Sequence, residues 1–195
     1  MQNFLCPLVL ASASPRRQSI LHQLGIEFSI GISDIDESKI LGPIREIPRL
    51  LAECKAEAVS RKNPGALVLG YDTLVYLNDI PLGKPTDADD ARRMLWSLRG
   101  KWHDVQTGFA LFKQGIRLHS GIEQTKVLFR TFPKSEMDDY IAGNEPFDKA
   151  GAYGIQGQGA RFVKSINGCF YNVVGLPVAQ TLEALSVYWR KDHDG

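Results

Sequence analysis

Cysteine is the first scarcity. The 195 residues hold three, Cys6, Cys54 and Cys169, widely spaced and with no Cys-x-x-Cys pair. That excludes a zinc ribbon, a dithiol redox motif or a disulfide framework as the organising device, and suits reduced thiols in a cytoplasmic protein. Histidine is also sparse. His22, His103, His119 and His193 show no metal-ligand spacing, and none pairs with an obvious serine or cysteine nucleophile, so a histidine-based triad lacks support. A surplus of one charge is missing too: 23 basic against 22 acidic side chains leave a formal net charge of +1. A nucleic-acid or membrane-surface binder would be broadly basic, and a single-strand track would interleave aromatics with those charges. Neither partner is expected. No apolar run reaches the ~18 residues of a membrane span. Pro7 interrupts the apolar stretch before Ala11-Ser12-Ala13, and no lysine or arginine precedes it, so a secretory leader is not expected either. Gly-x-x-x-x-Gly-Lys and Gly-x-Gly-x-x-Gly are both absent, which removes the P-loop and the Rossmann fingerprint.

What is present is an ordinary globular balance, 44% hydrophobic and 23% charged, in a length that suits one domain at ~150 residues per domain. No repeat, low-complexity tract or long linker divides residues 1–195, so a single domain is expected. Phe4 to Leu10 reads as a buried strand. Ser14 then suits a helix N-cap and Pro15 its first turn, with Ile20, Leu21 and Leu24 inward and Gly25 at the stop. Ile26, Phe28, Ile30 and Ile32 alternate like a half-buried strand. A second helix is predicted from near Pro48 to about Lys62. A strand follows over Ala66–Tyr76, interrupted at Gly70–Thr73, and Asn78-Asp79 offers a turn. Thr86 with Asp89 resembles a capping pair for a helix bearing Ala91, Leu95 and Leu98. Strands broken at Gln114-Gly115 fill Trp102–Arg130, and a short helix covers Ser135–Ala142. Strand-like pieces fall at Ala160–Val163 and Phe170–Val174, and a last helix begins at Pro177; the tail from Lys191 should fray. Early alternation and later hairpins predict an α/β or α+β protein around a mixed sheet.

Four places could carry chemistry. Arg16 and Arg17 stand in the first turn of a helix, where the dipole disfavours cations. Either they reach into solvent or an anion docks against them and the free amides, with phosphate the obvious candidate. Asp72 lies in an apolar run where an unpaired carboxylate is costly, so it must face a cleft, a cation or a hydrogen-bond network. Metal binding, general-base work and a structural role all remain open for it. Asp34, Asp36 and Glu37 form either a solvated turn or a set of hard oxygen ligands of the kind magnesium or manganese prefers. The glycine-rich stretch Asp148–Gly157 is either an ordinary loop or a close approach of backbone to ligand, with Lys149 and Gln156 as polar contacts.

Taken in order, Ser12-Ala13-Ser14-Pro15-Arg16-Arg17, Asp72-Thr73, Lys84-Pro85, His103 with Thr107-Gly108, Asp148–Gly157 and Gly175-Leu176-Pro177 resemble the Maf family of nucleoside triphosphate pyrophosphatases. The match runs from about Leu8 to Pro177. The resemblance implies an inosine triphosphatase-like α/β fold, with an elongated mixed sheet flanked by helices and two lobes about a central cleft. It also implies hydrolysis of a nucleoside triphosphate to the monophosphate and pyrophosphate with a divalent metal, magnesium or manganese. Members acting on dTTP and UTP are similar at three diagnostic places, held here by Arg16, Thr73 and Gln156. Those acting on 7-methyl-GTP tend to carry Trp, Gln and Glu there. A glutamine amide both accepts and donates, which suits the carbonyl and N–H edge of thymine or uracil as a carboxylate does not.

On the same resemblance Asp72 is the catalytic carboxylate, and Glu37 joins it as metal ligand. Arg16, Thr73 and Gln156 read the substrate. Ser14, Arg17, Lys55, Lys84 and Lys149 face the phosphates. The expected partner is a small-molecule nucleotide, and the family implies a homodimer. The alternative is a nucleotide-binding regulator of cell division without significant turnover. One residue departs from the pattern: Tyr71 stands where the family usually has Ala, and its bulk either crowds the pocket or packs behind the strand.

Overall fold

A computed structural model describes residues 5–188, so Phe4 and the tail from Lys191 lie outside the described residues. Strand β1 (Leu8–Ala11) is buried along its whole length, as expected of a strand covered on both faces. Helix α1 (Pro15–Gln23) has Ser14 at its N-cap, Pro15 in its first turn and Ile20 and Leu21 in the core. Gly25 ends it at φ 68, the left-handed position a side chain disfavours. The next strand, β2, is only Ser29–Ile30. It pairs parallel with β1 through Val9–Ser29 and Leu10–Ile30. The longer half-buried strand expected from Ile26 to Ile32 does not form; Ile30 and Ile32 are 49% and 65% exposed, since alternation without a covering layer gives no inward face.

Helix α2 (Ile47–Lys62) follows two short 3-10 turns, Glu37–Lys39 and Ile44–Glu46. Strand β3 (Leu67–Leu77) is continuous through Gly70–Thr73, where an interruption was expected. Asn78 and Asp79, both at positive φ, turn it into β4 (Ile80–Leu82), antiparallel to it. Helix α3 (Ala88–Leu98) is capped by Asp87, whose carboxylate accepts from the Asp90 amide; Thr86 sits one residue too early for that role. Strands β5 (Trp102–Lys113) and β6 (Ile116–Phe129) meet at Gln114-Gly115. Helix α4 (Lys134–Ala142) comes next.

The late glycine-rich region departs from expectation. It makes 3-10 turns at Glu145–Asp148, Ala150–Ala152 and Gln158–Phe162, then β7 (Val163–Asn167), α5 (Phe170–Val174) and α6 (Val178–Ser186). Phe170–Val174 is helical because Asn172 donates from its amide to Val105 O at 3.1 Å and Thr125 Oγ1 at 3.0 Å, holding a turn that apolar content alone does not reveal. The strands form one mixed seven-stranded sheet in the order β2-β1-β3-β5-β6-β7, with β4 on β3, and helices accompany it.

Two compact units divide the chain. The first takes the residues up to Asp72, Thr107–Ile122 and those from Gly175; the second takes Thr73–Gln106 and Glu123–Val174. The first has a core of small aliphatic residues, among them Val9, Ala52, Ala56, Val59 and Val68. Small residues there let α2 lie close on the strands. A Cβ on Gly70 would sit 2.3 Å from Ala52 O, and one on Gly108 2.2 Å from the Pro48 carbonyl. The second unit is built around aromatics instead, with Phe129, Phe132, Tyr140, Tyr153 and Phe162 stacked or edge-on.

Candidate active site

In the first unit the carboxylate of Asp72, on β3, accepts from Lys55 Nζ at 2.6 Å. Lys55 stands on α2 beside the inward residues Ala52, Ala56 and Val59, so helix packing delivers its ammonium to the strand. The same ammonium meets Glu37 Oε1 at 2.9 Å. Lys55 and Asp72 side chains are 13% and 14% exposed, while that of Glu37 is 56% exposed. Burial pushes the Asp72 carboxyl above the ordinary aspartate range; Lys55 and Arg17 pull against that, and Glu37 adds to it.

Of the three acidic residues in the loop, only Glu37 turns to this cluster. Asp34 pairs with Lys62 at 2.8 Å and Asp36 with Lys39 at 3.1 Å. Asp36 also caps the 3-10 turn by accepting from the Ser38 amide. Hydrogen bonds from these partners hold both aspartates below their usual range. Both stay on the exposed turn, and Glu37 alone reaches the Lys55–Asp72 pair.

Arg17 leaves the first turn of α1 inward rather than toward water. Its Nε donates to Gly175 O at 2.8 Å and one terminal nitrogen to Ser12 Oγ at 3.0 Å. Its guanidinium lies 5.7 Å from the centre of the Tyr71 ring. Burial depresses its pKa, opposed by Asp72, Tyr71 and Glu37, yet a guanidinium keeps its proton. No acidic residue occupies the first turn of α1, and Ser14 makes no capping bond through its side chain, so an anion there would meet helix amides and cations together. Arg16, half-buried, is next to Arg17 in that turn. Tyr71 does not crowd this site. It is fully buried, with its hydroxyl 2.8 Å from Thr181 Oγ1 of α6.

The second unit holds Thr73, Lys84, Lys149 and Gln156. Thr73 is half-buried on β3, whereas Lys84 and Gln156 are exposed. The Gly151 amide donates to Gly83 O at 3.0 Å, tying the glycine-rich loop to the Lys84 segment. Lys149 is already engaged: its ammonium donates to Glu145 O at 2.7 Å and to Asp148 Oδ1 at 2.5 Å. His103, named in the family pattern, is a neutral core residue. Burial drops its pKa to about 4, and its Nε2 lies 2.8 Å from the Tyr153 hydroxyl.

Two roles are not indicated by the sequence, although Gly175 stands in the family pattern. Gly175 supplies the carbonyl that aims Arg17, a backbone role no residue type announces. Glu145, three residues ahead of the segment chosen as chemical, accepts from the Gln158 and Gly159 amides; a glutamate between Asn144 and Pro146 was its only signal.

A divalent cation suits the donors in the first unit. Among the described residues no three His, Cys, Asp or Glu side chains converge as a cage. Magnesium, however, is commonly held by one or two carboxylates with substrate phosphate oxygens completing its shell. Asp72 and Glu37 supply two hard carboxylates that already converge on one cation, the Lys55 ammonium.

The family described as Maf-like protein matches residues 7–188. A dTTP/UTP pyrophosphatase of Desulforamulus reducens is 43% identical over 184 residues, covering 93% of this chain and 96% of that protein. One from Halalkalibacterium halodurans is 44% identical over 93% of this chain and 96% of its own, and one from Myxococcus xanthus 47% over 91% and 90%. A solved HAM1 protein from Coxiella burnetii is similar over 67% of this chain and 76% of its own, at 18% identity and a TM-score of 0.48. A family match over residues 7–188, joined by relatives above 40% identity along nearly their whole lengths, establishes that this chain belongs to the Maf family.

Proposed function

We propose that this chain hydrolyses dTTP and UTP to the nucleoside monophosphate and pyrophosphate, acting as one catalytic domain on nucleotide pools in the cytoplasm. The observation that carries the chemistry is the buried Asp72 carboxylate, raised in pKa and bonded to Lys55 at 2.6 Å. A carboxylate in that setting is a stronger base than an exposed one. Support for the substrate comes from relatives of nearly equal length that bear the name dTTP/UTP pyrophosphatase. No helix among the described residues is long and apolar enough to cross a membrane.

In this reading water attacks the α phosphorus, and the bridging oxygen leaves with the pyrophosphate. The bridging P–O bond breaks, the oxygen of water joins the phosphorus it attacks, and Asp72 receives the proton. Arg17 and Lys55 stabilise negative charge as it moves to the pyrophosphate, with the α1 amides and Ser14 adding donors. Lys84 contributes a further cation on the family pattern. Lys149 does so on exchanging Asp148 for phosphate, since both are anionic partners for one ammonium. Asp72 and Glu37 would hold magnesium or manganese, which when bound screens phosphate charge and makes water more acidic. Gln156 reads the pyrimidine edge by accepting from the base N–H while donating to a flanking carbonyl, and Arg16 and Thr73 add donors.

The test is pyrophosphate release from dTTP and UTP with magnesium or manganese. Turnover is expected with the wild type, falling about 100-fold or more in Asp72→Asn. Nucleotide binding without release would overturn the reading in favour of a regulator that senses nucleotides. Near-normal turnover in the variant would remove Asp72 from its role.

A further inference from the structure

We propose that Glu145 is a positioning residue for base selectivity: its carboxylate clamps the loop that presents Gln156. The inference rests on the reading that Gln156 recognises the pyrimidine, and deepens it.

Gln156 is exposed, so the backbone around it must set where its amide points. That backbone is folded about a single side chain. Glu145 Oε2 accepts from the Gln158 amide at 2.8 Å, and Oε1 accepts from the Gly159 amide at 3.1 Å. The Tyr140 hydroxyl, from the last turns of α4, donates to Oε1 at 3.2 Å. A carboxylate accepting N–H donors makes bonds stronger than neutral pairs do. The fit leaves no slack. A Cβ on Gly157, next to Gln156, would lie 2.4 Å from Glu145 Oε1 and 2.6 Å from its Cδ. A Cβ on Gly159 would lie 2.8 Å from Gly154 N and O. Gly157 thus leaves room for the carboxylate itself, and Gly159 for the Gly154 backbone. Glu145 is itself placed by the left-handed Asn144, at φ 60, and by Lys149, which donates to its carbonyl. Thus α4 fixes Tyr140, Tyr140 steadies Glu145, and Glu145 fixes the chain directly after Gln156.

The consequence falls chiefly on base reading, because a side-chain change leaves the Glu145 carbonyl that Lys149 bonds in place. An amide must stay within about 0.5 Å of its productive position to serve two groups on one base edge. A slack loop forfeits those bonds, while Asp72, Lys55 and Arg17 lie in the other compact unit. Loss should appear in KM for pyrimidine triphosphates and in selectivity, with kcat little changed. Glu145→Gln leaves one oxygen for one amide and sets an NH2 against the other, a nearly isosteric lesion.

The full-length chain, its Glu145→Gln, Glu145→Ala and Gln156→Ala variants and the Glu145→Ala/Gln156→Ala pair are compared on dTTP, UTP and dGTP. Amide exchange at Gln158 and Gly159 is followed alongside. Glu145→Gln is expected to lower kcat/KM for dTTP about tenfold through KM, spare dGTP and speed exchange at both amides. Adding Glu145→Ala to Gln156→Ala should cost no further selectivity. Equal loss of kcat on all three nucleotides, or an additive double variant, would overturn the proposal. So would unchanged selectivity in Glu145→Gln where Gln156→Ala does alter it. Unchanged selectivity in Gln156→Ala itself would sink the reading of Gln156, and this inference with it. Should Glu145→Ala fail to fold, Glu145→Gln alone and on the Gln156→Ala background decides the same comparisons.

Discussion

At Asp72 two opposing influences meet in one carboxyl group. Burial favours its neutral form, and the Lys55 ammonium at 2.6 Å favours its charged form; burial dominates. The sign for catalysis follows directly. A base works only when deprotonated, so activity should fall as pH drops through the Asp72 value, a limb that burial moves up and a bound cation moves down. A profile of kcat/KM against pH measures it, because this ratio reports the free enzyme. Stability runs the other way. A folded-state pKa above the unfolded one contributes stability that is fully present below the unfolded pKa and lost as pH rises through the folded value. Asp72→Asn removes that loss and keeps an acceptor for Lys55, while Glu37 still meets the ammonium at 2.9 Å. Its thermal midpoint at pH 7 should therefore hold or rise although turnover falls about 100-fold. A lowered midpoint at pH 7 would mean that the pair with Lys55 outweighs the burial of charge. The carboxylate itself was legible in the chain, as a charge in an apolar run. Its pairing was not: the family resemblance marks Lys55 as a phosphate contact, and nothing in its spacing points to a strand residue 17 positions on.

Elements tell a similar story about close approach. Helix α2 carries Lys55 to β3 only because the strands beneath it are stripped of side chains at Gly70 and Gly108. A methyl group on Gly108 would lie 2.2 Å from the Pro48 carbonyl and 2.3 Å from the Arg49 amide, backbone that cannot swing aside as a side chain can. Gly108→Ala should cost about 2 kcal/mol or more in chemical denaturation and lower turnover as well, since α2 must shift with Lys55 on it. Gly65→Ala, where a Cβ would meet nothing within 4 Å, is the matched control and should change stability by no more than about 0.5 kcal/mol. Equal behaviour of the two variants would show that α2 tolerates displacement. The helix itself could be read in the sequence, from Pro48 through the Asn63-Pro64-Gly65 stop. Likewise the turns at Asn78-Asp79 and Gln114-Gly115 carry Asn, Asp and Gly, which suit positive φ. The region after α4 resisted because its order comes from distant partners. Asn172 reaches Thr125 and Val105, and Glu145 gathers amides 13 and 14 residues ahead. Short apolar runs such as Phe170–Val174 fit strand and helix equally until those contacts exist.

For the whole molecule, the scarcity of cysteine and histidine becomes a statement about what holds it together. The cysteines are unpaired thiols, and each compact unit has its own hydrophobic core, aliphatic in one and aromatic in the other. The carboxylates suited to a cation, Asp72 and Glu37, already share the Lys55 ammonium. Folding therefore does not call for a metal, whereas the proposed chemistry does, because a polyphosphate brings charge that Arg17 and Lys55 balance only in part. A ligand that binds only the folded state stabilises it in proportion to its affinity, and two carboxylates shared with an ammonium make a weak site without substrate oxygens. Chelation by EDTA should accordingly abolish pyrophosphate release from dTTP while leaving the thermal midpoint of the nucleotide-free protein unchanged. Dithiothreitol should alter neither. With a non-hydrolysable dTTP analogue present, magnesium should raise the midpoint beyond the effect of the analogue alone, since substrate oxygens then complete the shell. A midpoint that falls on chelation without nucleotide would place a tightly held structural cation in the chain. A midpoint indifferent to magnesium even with the analogue would take Asp72 and Glu37 out of the ligand set and leave charge stabilisation to Arg17 and the lysines.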